Sequence, residues 1–97
     1  MYKHIVTFKL KGTKEQRRDV AVKFKEALED LPGKIQCLKS IEVGINSNPE
    51  EDWDIVLSAS FDALEDIKKY SVHPRHIEAA SIIKDWKESR ACVDYKV

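Results

Sequence analysis

Tyr70, His73 and His76 stand within seven residues of one another, in the run Tyr70-Ser71-Val72-His73-Pro74-Arg75-His76, and a third histidine, His4, lies near the start of the chain. An imidazole titrates near ~6.5 and can take or give a proton at neutral pH. A phenol, titrating near ~10, stays a hydrogen-bond donor that can hold a developing enolate or oxyanion. Together these groups suit acid–base chemistry on a carbonyl-bearing or phenolic, largely apolar molecule. In one unbroken helix, residues six apart point about 120° away from each other. Pro74 changes this, because proline is poor inside a helix and good at its first turn. The run therefore predicts a helix ending near Tyr70–Val72 and a second beginning at Pro74. Such a turn lets Tyr70 and His76 aim at one cavity whose wall also holds His4. The plainer alternative makes Tyr70 and His76 helix-end caps and His4 a core histidine with its ring nitrogens satisfied.

Other chemistries find less support. His73 and His76 form an H-x-x-H, but no cysteine or carboxylate stands nearby at a familiar ligand spacing, so no zinc site is expected there. No cofactor is expected either, and looser magnesium or calcium binding stays open. Ser58, Ser60, Ser71 and Ser81 lack a G-x-S-x-G context, and the chain has no GxGxxG and no P-loop. The two cysteines, Cys37 and Cys92, are 55 positions apart without a CxxC, and are expected to be reduced and idle in a cytoplasmic setting.

These residues need a frame. Ninety-seven residues suit one domain, 1–97. Lys+Arg 17 balances Asp+Glu 17, which removes the main electrostatic drive toward nucleic acid or anionic membrane. The balance is uneven along the chain: residues 1–48 carry ten basic and six acidic side chains, residues 49–97 seven and eleven. No apolar run reaches the length of a membrane-crossing helix or an export signal.

Residues 2–11 alternate, with Tyr2, His4, Val6, Phe8 and Leu10 on one face, which predicts a strand with one buried side. Thr13 and Gln16 have the spacing of a capping box, and Val20, Phe24, Ala27, Leu28 and Leu31 form a helical stripe closed by Pro32-Gly33. Strand character returns over 35–45 and 53–61. Asp62 and Glu65 offer a second capping-box spacing, and Leu64, Ile67 and Tyr70 a short stripe. The helix after Pro74 is expected to turn Ile77, Ala80, Ile83 and Trp86 inward. Residues 90–97 alternate again. Strand, helix, strand, strand, broken helix, strand is the split βαβ order: an α+β, ferredoxin-like fold with a four-stranded antiparallel sheet. The sheet face away from the helices is expected to show Ile5, Thr7, Val56, Ser58, Ser60 and Cys92, too weakly polar for a wholly solvated surface. A second copy covering it is the expectation.

Several stretches resemble the stress-responsive α/β-barrel (Dabb) family: Met1-Tyr2-Lys3-His4-Ile5-Val6-Thr7-Phe8-Lys9-Leu10, Val43-Gly44-Ile45-Asn46, Trp53-Asp54-Ile55-Val56-Leu57, the Y-x-x-H-P-x-H of Tyr70 to His76, and Val93-Asp94-Tyr95. The resemblance implies a dimeric α/β barrel, two ferredoxin-like protomers packed sheet to sheet as a homodimer. It implies that the acid–base pair of a polyketide cyclase in the family falls on Tyr70 and His76, with His4 as a further pocket residue. Asp54 corresponds to a pocket histidine of that cyclase and so departs from it, which leaves cyclisation itself open. His4, His73 and Asp54 are the binding candidates. If the chain is an enzyme, the implied class is a cofactor-independent cyclase, lyase or isomerase. A non-catalytic stress-response or structural dimer and a cofactor-free monooxygenase are the alternatives.

Overall fold

The structure is a computed structural model that describes residues 1–97. It opens on β1 (Tyr2–Leu10), where burial alternates as the sequence does: His4, Val6, Phe8 and Leu10 are enclosed and the residues between them half-exposed. Gly12 ends the strand at φ +102°, where a Cβ would sit 2.9 Å from Gln16 Oε1 and 3.0 Å from the Trp86 ring. Only glycine turns the chain there without strain.

Helix α1 (Lys14–Glu29) starts on the expected capping box: the Thr13 hydroxyl accepts from Gln16 N, and Gln16 Oε1 accepts from Thr13 N. Its stripe of Val20, Ala21, Phe24 and Leu28 is buried. At its last turn, Glu29 accepts from Lys25 Nζ (2.8 Å) and Val43 N (3.0 Å). These bonds, the Lys25 one foremost, hold its carboxyl below the usual carboxylate range and tie the helix end to β2 (Ser40–Ile45). The strand expected from residue 35 starts only at Ser40. Pro32 to Leu38 run as turns that drop Ile35 and Leu38 into the core.

β3 (Ile55–Phe61) leads to α2 (Leu64–Ser71), α3 (Pro74–Ala80) and β4 (Lys87–Lys96). Pro74 does divide the helical region, standing at the first turn of α3 with His73 as its N-cap. The second capping box does not form: Ala63 precedes α2 without a side-chain cap, and Asp62 turns to Lys39 instead, 3.3 Å away. Leu64 and Ile77 lie outside the buried stripes, 52% and 56% exposed, and Ala79 takes the inward place on α3.

The strands form one antiparallel sheet in the order β2-β3-β1-β4, the ferredoxin-like arrangement. One cluster of 19 buried residues fills the space between sheet and helices. The register corrects one expectation. Cys92 lies opposite Val6 and Asp94 opposite His4, so both belong to the helix side. Ala91, Val93 and Tyr95 lie opposite Thr7, Ile5 and Lys3 and so belong to the outer face. β4 is an edge strand with its apolar side turned away from the core: Val93 is 62% exposed and Tyr95 42%. The outer face is thus more apolar than the sequence indicates.

Candidate active site between the sheet and the broken helix

Ile67 and Tyr70 fall three residues apart on α2 and both turn inward. Tyr70 is 1% exposed, wedged against Phe61 (ring centroids 5.3 Å apart). The turn at Pro74 then brings His76 back over it. The His76 and Tyr70 rings lie 4.4 Å apart at 55°, and His4 closes the group from β1, 6.2 Å from Tyr70 and nearly edge-on at 70°. Phenol and two imidazoles therefore converge.

Each ring has a definable state. His76 Nδ1 is 3.0 Å from the Ser71 carbonyl. That oxygen only accepts, so Nδ1 carries the proton and Nε2 the lone pair. Burial lowers the His76 pKa below its ordinary 6.5, outweighing the Ser71 bond that raises it, so the ring is neutral at pH 7. The Tyr70 hydroxyl is buried with no hydrogen-bond partner in the protein. Burial pushes its pKa far above the ordinary phenol value, so it keeps its proton and acts as a donor. His4 Nδ1 stands 2.5 Å from Asp94 Oδ1, and the carboxylate again makes Nδ1 the protonated nitrogen. Cys92 Sγ lies 3.5 Å from both His4 Nδ1 and Asp94 Oδ1. Burial first, and then the Asp94 charge, push its thiol pKa up.

Of the residues singled out in the sequence, His4, Tyr70 and His76 come together. His73 does not join them: its Nδ1 accepts from Arg75 N at 3.1 Å and starts α3. Asp54 is remote, beside Leu10 at the far end of β1. Its Oδ2 accepts from Leu10 N (2.7 Å) and its Oδ1 faces Arg17 Nη1 (3.5 Å). Asp94 and Cys92 were missed as partners of His4, because only the pairing of the first and last strands brings them opposite it. The main concavity, about 500 Å³, lies at Asp54's end of the sheet between Lys14, Arg17, Arg18 and the loop at Asn46–Pro49. A smaller one, about 160 Å³, lies over Leu31, Arg75 and Ala79. Neither is lined by His4, Tyr70 or His76.

Fold and ring cluster together define a class: a small ferredoxin-like α+β domain with a tyrosine and a histidine buried between sheet and helices and a second, half-buried histidine against the tyrosine. Within that class the chain belongs to the Stress responsive A/B Barrel Domain (Dabb) family, whose model matches residues 2–97. It is similar in structure to a dimeric protein of unknown function and ferredoxin-like fold from Bacteroides fragilis. That match has 50% identity and a TM-score of 0.95, over 99% of this chain and 95% of the other. It is 24% identical to the olivetolic acid cyclase of Cannabis sativa, over 96% of this chain and 93% of that protein. It shares the fold of the hydroxynitrile lyase of Passiflora edulis, with a TM-score of 0.70 at 16% identity over 97% and 90% of the two chains. No helix is long and apolar enough to cross a membrane.

Proposed function

We propose that this chain works as a cytoplasmic homodimer that binds a small, largely apolar, carbonyl-bearing or phenolic molecule at the ring cluster and performs acid–base chemistry on it. The observation that carries this reading is the Tyr70 hydroxyl, buried without a partner between His4 and His76. A buried hydroxyl left unmatched costs about 1–3 kcal/mol, so a fold that keeps one needs a reason beyond packing. A ligand oxygen reaching Tyr70 satisfies the hydroxyl, and a phenol that keeps its proton polarises that oxygen. The neutral His76 then serves as base through Nε2, taking a proton from the carbon next to the carbonyl while Tyr70 holds the enolate oxygen. The cyclase likeness supports this reading. The dimer rests on the outer sheet face, where Val56, Val93 and Tyr95 are exposed without a cover in the protomer, and on the dimeric state described for the Bacteroides fragilis protein.

The test uses hydroxylated acetophenones in deuterated water. The wild-type protein is expected to exchange the protons beside the carbonyl, and His76→Ala to lose the exchange while keeping its fold. Equal exchange by both proteins, or a His76→Ala chain that does not fold, makes His76 structural. Light scattering at micromolar concentration is expected to give twice the protomer mass, and the single mass contradicts the dimer. A second reading, a non-catalytic dimer, is favoured by the position of both main concavities away from Tyr70. It predicts no binding of any such ketone at the rings.

A further inference from the structure

The pair His4–Asp94 has a third member. Cys92 and Asp94 are two residues apart on β4, so both side chains leave the same face, and both stand across from β1 beside His4. Their donor atoms, His4 Nδ1, Cys92 Sγ and Asp94 Oδ1, all lie within 4.8 Å of one another. We propose that His4, Cys92 and Asp94 form a three-ligand site for a zinc ion, with the fourth position open.

The spacing argues for it. With metal–sulfur bonds of ~2.3 Å and metal–nitrogen or –oxygen bonds of ~2.0–2.1 Å, a tetrahedral site places sulfur about 3.5 Å from its nitrogen and oxygen neighbours. Cys92 Sγ already stands 3.5 Å from His4 Nδ1 and 3.5 Å from Asp94 Oδ1. The third edge, Nδ1 to Oδ1, is 2.5 Å in the hydrogen-bonded state. It opens to about 3.3 Å when a metal replaces the shared proton. A set of one nitrogen, one sulfur and one oxygen suits zinc better than magnesium or calcium, which take oxygen. Both strands are backbone-paired on either side of these positions, so the ligands sit on a rigid frame. The protons balance. The His4 proton passes from Nδ1 to Nε2, freeing the Nδ1 lone pair for the metal, and the Cys92 thiol releases one proton to solvent. The sequence gives no hint of the site because its ligands are 88 residues or more apart between strand one and strand four.

The site goes beyond the ketone reading and does not need it, since metal binding is read without turnover. The experiment titrates the reduced full chain with Co²⁺ alone. Wild type is expected to develop a near-ultraviolet thiolate-to-cobalt charge-transfer band and the visible bands of tetrahedral cobalt, both bleached by Zn²⁺. Cys92→Ser is expected to lose the near-ultraviolet band, and Asp94→Asn to weaken binding at least tenfold. Cys37→Ser and His73→Ala are expected to leave the spectrum unchanged. Overturning results are the absence of a charge-transfer band in wild type, its persistence in Cys92→Ser, or its loss in Cys37→Ser or His73→Ala. His4→Gln should abolish binding. If that buried substitution unfolds the chain, the half-exposed Cys92 and Asp94 variants decide alone.

Discussion

The two ends of β1 treat their polar groups in opposite ways. At the Leu10 end, Asp54 is fully spoken for: one carboxylate oxygen accepts from Leu10 N and the other faces Arg17, while its backbone bonds Phe8 and Asn46. At the His4 end, His76 and His4 are each anchored at Nδ1, by Ser71 and by Asp94, and the Tyr70 hydroxyl between them is left alone. The first arrangement is complete in itself and extends the sheet beyond the ends of its strands. The second orients every ring and withholds one hydrogen bond. Structure-building polar groups find their partners inside the protein; the buried Tyr70 hydroxyl has none there, and it is the group to which the proposed ligand would bind.

That contrast can be broken most forcefully at His76. His76→Ala is expected to lower proton exchange on a bound ketone by about 10²–10⁴-fold, the usual share of a positioned base, with little change in melting temperature. Asp54→Ala is expected to do the reverse. Denaturant unfolding should show a loss of about 2 kcal/mol, because Leu10 N and Arg17 lose a charged partner, while exchange activity stays near wild type. If Asp54→Ala abolishes exchange in a folded protein, Asp54 belongs to the site after all and the division between the two ends fails.

The smallest effect is on pH dependence. The folded chain protonates His76 less readily than the unfolded chain does, so below pH 6.5 the unfolded state holds more protons. The His76 contribution to stability is therefore present above pH 6.5 and lost as pH falls from there through the depressed folded value. Urea midpoints in His76→Gln are expected to fall less steeply than in wild type over that window. Parallel curves mean that His76 is not held neutral by burial.

Much of this was legible in the sequence, for identifiable reasons. Period-two alternation fixes strands wherever one face meets the core, and β1 shows it residue by residue. Pro74 marks the break because ring geometry forbids an internal position, and the Thr13–Gln16 capping box formed because both partners are local. The failures have the opposite cause. β4 is an edge strand whose apolar side faces outward, so reading that side as core put Cys92 on the wrong face. Asp94 became visible only through pairing between strands at the two ends of the chain. Asp54 was carried to the pocket by resemblance, yet it stands just before β3 and bonds Leu10 N, which is six positions further along β1 than His4, about 20 Å at 3.3 Å per residue. The approach of His76 to Tyr70 was legible because Pro74 turns the chain between them, and that of His4 because β1 alternates.

The most direct test of the central claim is Tyr70→Phe, measured for stability and ketone binding on the same preparation. Removing an unmatched buried hydroxyl without changing the ring is expected to stabilise the fold by about 1 kcal/mol. The same change should remove binding of hydroxylated acetophenones and the exchange that follows it. A Tyr70→Phe protein that is less stable than wild type, or that binds and exchanges these ketones as wild type does, contradicts the claim that this hydroxyl is held for a ligand.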